Sequence, residues 1–151
     1  MIVQTYSDAE MKAFGATLGA LLKGGEIIEL VGDVGAGKTT LTKGIAQGMN
    51  IDEDVQSPSF TISRVYESPA KLRLAHYDFY RLHDAGIMAD ELNETALSND
   101  TVTIIEWAEI VSGVLPRDRV TIRITTPSEH ERQVTLSGNG EKSDAFLEMI
   151  V

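Results

Sequence analysis

One short run of residues sets the chemistry to look for: Gly32-Asp33-Val34-Gly35-Ala36-Gly37-Lys38-Thr39. It matches G-x-x-x-x-G-K-[ST] at every fixed position. Glycines let the backbone approach a phosphate closely, and successive N–H groups then form a concave anion nest. Lys38 brings a point charge suited to β and γ phosphates. The Thr39 hydroxyl is placed to ligate Mg²⁺, and the Thr40 hydroxyl to reach an α-phosphate. A guanine reader of the N-K-x-D kind is missing from the sequence, which favours ATP over GTP. The competing reading is a glycine-rich turn with an incidental lysine.

A phosphate loop of this kind also needs carboxylates near the metal. Asp78 closes the segment LRLAHYD, and Glu106 directly follows TVTII. Acids at strand ends stand where α/β sheets bind their ligands. Either suits contact with Mg²⁺, directly or through water, and the sequence leaves open which is nearer; the alternative is a pair of solvated strand-end acids. Trp107, the single tryptophan, fits a wall of the nucleotide pocket or a core aromatic. His76 is a candidate base, although a lone histidine in a strand more often has a structural role. Arg81 and Arg132 are candidates to neutralise phosphate or stack on a base. His83 and His130 fall in no pattern. The loop Ser57-Pro58-Ser59-Phe60-Thr61 carries hydroxyls that can reach the metal or the γ-phosphate.

The elements that must position these groups can be read from spacing. Met11, Phe14, Leu18, Leu21 and Leu22 recur at helical intervals behind Ser7, with Glu10 completing a capping-box pattern and Gly24-Gly25 stopping the helix. Glu26 to Val31 reads as a buried strand, and Lys38 to Met49 as a helix with Leu41, Ile45 and Met49 on one face. Strand, glycine turn, helix is the context a phosphate loop requires. Asn50 to Phe60 reads as a loop. Thr61–Tyr66 and Leu72–Tyr77 form an expected hairpin across Ser68-Pro69. One or two short helices are expected in His83–Leu97, a strand at Thr101–Ile105, a short helix at Trp107–Val114, alternating strands at Val120–Thr125 and Gln133–Ser137, and a helix in the tail from Glu141. The pattern predicts an α/β fold, a P-loop three-layer sandwich whose mostly parallel central sheet carries added antiparallel strands.

At 151 residues the chain is one domain's worth. Without cysteine it has no disulfide and no thiolate metal site. The N-terminus lacks a signal-peptide pattern, and no apolar run approaches the ~20 residues of a membrane helix, so a cytoplasmic location is expected. The net charge of −10 repels polyanions on average, which argues against direct tight binding of nucleic acid.

Four segments, GDVGAGKTTLTKGI, SPSFTISRVYE, HYDFYRL and IEWAE, in this order and spacing, resemble the TsaE family of small bacterial P-loop ATPases, needed to make threonylcarbamoyladenosine in tRNA. The resemblance runs from the first helix to about Arg132. It implies Thr39 and Glu106 as Mg²⁺ ligands and Asp78 as an acid engaged in hydrolysis. It implies Ser57–Thr61 as a switch-like segment, with Ser59 where the family usually has threonine. Trp107 and Arg132 would lie near the nucleotide and the segment around Ser7 near the adenine, with Met11 where the family usually has threonine. It further implies an accessory ATPase acting on a TsaB–TsaD heterodimer, with tRNA held by that partner. Two other readings stay open. A small-metabolite kinase usually carries an arginine-rich lid, and His83–Leu97 is acidic with no arginine. A non-hydrolysing nucleotide sensor would only dock a partner.

Overall fold

The computed structural model describes residues 1–56, 63–80, 86, 88–111 and 113–150. The Ser57–Thr61 loop, Arg81 and His83 therefore lie outside the described residues. A seven-stranded sheet runs through the molecule: β1 (Ile2–Thr5), β2 (Ile27–Val31), β3 (Ser63–Glu67), β4 (Arg73–Asp78), β5 (Thr101–Glu106), β6 (Val120–Ser128) and β7 (Glu131–Gly138), in the order β1-β7-β6-β2-β5-β4-β3. The four central strands β6, β2, β5 and β4 are parallel. Antiparallel partners flank them: β3 on β4, and β7 then β1 beyond β6.

Parallel strands covered on both faces are apolar throughout, and every residue of β5 is buried. On one face Ile28, Leu30, Leu74, Ile104 and Ile122 pack with residues of α1 (Asp8–Leu21), α2 (Lys38–Gly48) and α4 (Glu141–Glu148). On the other, Ile27, Ala75, Tyr77 and Ile105 pack with Leu92 and Ala96 of α3 (Met88–Ala96) and Ala108 and Val111 of a 3-10 turn. The result is the expected three-layer α/β sandwich.

Helices α1 and α2 lie side by side, running the same way, in backbone contact. A Cβ added at Gly15 would stand 2.5 Å from the Leu41 carbonyl oxygen, and one at Gly19 would collide with that of Ile45. Likewise, Gly44 and Gly48 of α2 face the carbonyls of Lys12 and Ala16. Ser7 caps α1 by accepting from the Glu10 N–H at 3.1 Å. The reciprocal half of the expected capping box shifts by one residue, since Glu10 Oε2 accepts from Tyr6 N–H at 3.0 Å.

Three elements differ from the sequence-based expectation. Strand β1 was not foreseen: four residues with one buried position carry little pattern, and the partner strand lies near the other end of the chain. Strand β6 runs on to Ser128 through a register irregularity between Thr125 and Ser128 that contains Pro127, which cannot donate a ladder hydrogen bond. Among the described residues the expected helix at Trp107–Val114 is the 3-10 turn Ala108–Val111, and Trp107, with a left-handed φ of 59°, stands outside it. In His83–Leu97 the described residues contain helix α3, in line with the one or two short helices expected there.

Candidate nucleotide site

The site is assembled at the C-terminal ends of β2, β4 and β5. The register places Asp78 opposite Glu106 and Leu30 opposite Glu106, so the loop after Val31 and the two acids meet at one end of the interior strands. Gly35 and Gly37 adopt φ 85° and 111°, a region that side-chain-bearing residues rarely enter. Gly37 is thereby the N-cap of α2, which brings the first helical N–H groups and the positive end of the helix to the loop. Gly32 serves by its size, since a Cβ there would come 2.9 Å from the Ile124 carbonyl oxygen.

Lys38 is the centre of the arrangement. Its Nζ donates to the Gly32 carbonyl at 2.7 Å, stands 3.7 Å from Oε1 of Glu106, and lies 4.4 Å from the centre of the Trp107 ring. Lys38 and Glu106 are both buried, at 7% and 3% exposure. Buried charges need partners, and each is the other's counter-ion. The left-handed turn at Trp107 brings its indole over the lysine and to 4.9 Å from the Tyr80 ring. Asp78 Oδ1 accepts from the Tyr80 N–H at 3.0 Å. Glu106 Oε2 is bonded to Nε2 of His76 at 2.6 Å.

Lys38, Asp78, Tyr80, Glu106 and Trp107 border a cleft of about 660 Å³, within the range of ligand sites. Of the residues singled out in the sequence, Val34, Gly35, Ala36, Gly37, Lys38, Thr39, Thr40, Asp78, Glu106, Trp107 and Arg132 line it. Gly32 and Asp33 instead open onto a neighbouring cleft of about 430 Å³, which shares Lys38 and Trp107 as its wall. Arg132 Nη1 donates to the carbonyls of Ser128, Glu129 and Glu131 at 3.3, 3.1 and 3.0 Å. It thus braces the β6–β7 turn, which delivers Glu129 and His130 to the cleft. Tyr6, Ser7, Asp8 and Met11 close the side formed by α1.

Tyr80, Glu129 and the His76–Glu106 bond had no mark in the sequence. For His76 the available signal was period-two alternation, which puts Leu74, His76 and Asp78 on one face of β4.

The donor set fits Mg²⁺. Among the described residues no three acidic or histidine side chains surround a common point, as a protein-only metal cage would require. Mg²⁺ needs only one or two protein ligands, because it keeps waters and takes oxygens from substrate phosphates. A threonine hydroxyl and a carboxylate beside a phosphate nest meet that need. Among the described residues no helix is long and apolar enough to cross a membrane.

The profile of the family described as "Threonylcarbamoyl adenosine biosynthesis protein TsaE" matches residues 5–134. A tRNA threonylcarbamoyladenosine biosynthesis protein TsaE of Bacillus subtilis is 35% identical over 146 residues, covering 96% of this chain and 90% of the relative. One of Streptomyces coelicolor is 36% identical over 137 residues, with 87% and 93% covered. The crystal structure of Bacillus subtilis YdiB superposes with a TM-score of 0.83 at 32% identity, covering 99% of this chain and 93% of that one. With the phosphate loop, the strand-end acids and the sandwich that joins them all in place, this chain belongs to the TsaE family of P-loop proteins.

Proposed function

We propose that the protein is a cytoplasmic ATPase serving the threonylcarbamoyladenosine modification of tRNA as an accessory to a TsaB–TsaD partner. The observation that carries this reading is Lys38, held between the Gly32 carbonyl, Glu106 and the Trp107 ring at the floor of the cleft. A buried lysine with so near a counter-ion is poised to exchange it for phosphate.

In the proposed complex the N–H groups of residues 34–40 and Lys38 bind the β and γ phosphates. Thr39 and Glu106 would hold Mg²⁺, which when bound would neutralise phosphate charge. Water attacks the γ-phosphorus, the bond to the bridging oxygen breaks, and ADP and phosphate leave. Asp78, at the end of β4, orients the water and takes up its proton. Trp107 and Tyr80 shield the reacting end from solvent, and Tyr6, Ser7 and Asp8 lie where the nucleoside extends. Most of the rate enhancement is charge stabilisation by Lys38 and the metal. Neither a water-positioning glutamine nor an arginine finger stands out in the sequence, so turnover by the protein alone is slow and the partner completes the site.

The test is ATP hydrolysis by the purified protein, alone and with TsaB–TsaD and tRNA, beside Lys38→Ala. Stimulation by the partner, and loss of hydrolysis and of sustained tRNA modification in Lys38→Ala, is the expected result. Tight ATP binding with background hydrolysis in every mixture would instead establish a nucleotide sensor.

A further inference from the structure

His76 is not needed to bind phosphate, yet it is tied to the acid that faces the phosphate loop. On β5 its register partner is Ile104, so His76 and Glu106 are diagonal neighbours on one face of the sheet. The ring is fully buried. Nε2 stands 2.6 Å from Glu106 Oε2, while Nδ1 is buried with no hydrogen-bond partner among the described residues. A carboxylate only accepts, so this bond places the ring proton on Nε2 and leaves the Nδ1 lone pair unserved. An unsatisfied buried nitrogen is unfavourable, and on the same face of the strand pair the neighbours away from the strand-end acids Asp78 and Glu106 are Leu74, Val102 and Ile104. An apolar residue would pack there without that penalty, so the bond to Glu106 is the chemical reason for histidine.

The two oxygens of Glu106 thus have different partners: Lys38 at Oε1 and His76 at Oε2. Lysine is long and flexible, and its charge is wanted by phosphate once a nucleotide enters. Histidine is short, enclosed and has one bond to make.

We propose that His76 is a positioning residue for the nucleotide site: its Nε2–H fixes Oε2 of Glu106 so that Oε1 stays presented to the phosphate loop when Lys38 turns to the nucleotide. This rests on the reading of Glu106 as a Mg²⁺ ligand. Outer-shell hydrogen bonds of this kind orient ligating carboxylates, and their loss costs roughly 10- to 100-fold in metal affinity.

The experiment is calorimetric titration of the whole protein with a non-hydrolysable ATP analogue across a series of Mg²⁺ concentrations. It compares the parent with His76→Leu, His76→Gln and Glu106→Ala, each with a ligand-free melting curve. His76→Leu is expected to raise the Mg²⁺ concentration for half-maximal binding by roughly tenfold or more, with Mg²⁺-free affinity unchanged. His76→Gln, whose amide N–H can reach the same oxygen, recovers most of the loss. If His76→Leu does not fold, His76→Asn, whose amide stops short of Oε2, takes its place. Equal impairment of the Gln and apolar variants would mean that packing alone matters and would overturn the proposal. A Mg²⁺ requirement raised in Glu106→Ala but unchanged in His76→Leu would overturn it while leaving the reading of Glu106 intact. An unchanged requirement in Glu106→Ala would remove that reading and the proposal with it.

Discussion

Single residues here work through the company they keep. Lys38 is useful because a carbonyl, a carboxylate and an aromatic face hold it in place before any ligand arrives. Asp118 is a second case, at the opposite end of the sheet. Its two oxygens accept from the N–H groups of Lys142 and Ser143 at 2.9 Å each, on the first turn of α4, whose N-cap Gly140 offers no side chain. Desolvation pushes the Asp118 carboxyl up, but the hydrogen bonds from Ser143 and Lys142, helped by the Lys142 charge, outweigh it and hold the group below the ordinary value of 3.8. A folded value below the unfolded one means stability that is present above 3.8 and is lost as the pH falls from there through the folded value. Asp118→Ala should therefore cost about 1 kcal/mol at neutral pH, the usual weight of a helix cap. In denaturant melts the gap to the parent should close as the solution is acidified below 3.8; a gap that persists there would mean that packing, not charge, is at stake.

At the scale of elements, local features were legible and relationships between distant strands were not. The phosphate loop, its strand and its helix follow from adjacent residues, because glycine conformation and helix periodicity are local properties. The packing of Leu41, Ile45 and Met49 likewise follows from their spacing. Glu106 and Asp78 could be placed at strand ends but not ranked, since their distances to Lys38 depend on how β4, β5 and β2 are set against one another. The His76–Glu106 bond joins residues thirty positions apart and exists only through that register. The Trp107 turn was hidden for a different reason: a left-handed backbone at a bulky residue such as Trp107 has no signature in local residue types. The close contact of α1 and α2 escapes a local reading, because what a helical glycine faces is set by tertiary packing. It makes a sharp prediction. In an exposed helix Gly→Ala gains up to about 1 kcal/mol, but at Gly19 the methyl would collide with the Ile45 carbonyl. Gly19→Ala should reverse that sign and destabilise by about 1–3 kcal/mol, the range for overpacked interiors, measured by chemical denaturation. A neutral or stabilising result would show that the helices can part without cost.

For the molecule as a whole, charge is the governing quantity. The net −10 extends into the site: among the described residues of the cleft, Asp8, Asp78, Glu106 and Glu129 face only Lys38 and Arg132 as permanent cations. A bare nucleotide polyanion therefore meets a surplus of like charge, and a divalent cation reverses the balance. Removing Mg²⁺ with a chelator should weaken ATP binding by roughly tenfold or more, or about 1.4 kcal/mol, in calorimetric titrations. Equal affinity with and without the metal would mean that the acids are neutralised in some other way.

The glycine seam between α1 and α2 has a mechanical consequence. Two helices whose backbones touch cannot slide or splay without losing contact along several turns, so they move as one stiff slab. That slab presents Ser7 at the head of α1 and Thr39 and Thr40 at the head of α2 to the same cleft. The spacing between the nucleoside side and the phosphate side is thus preset, like the fixed jaw of a vice. Among the described residues, adjustment between nucleotide states then falls to side chains, with Lys38 turning on a backbone that stays put.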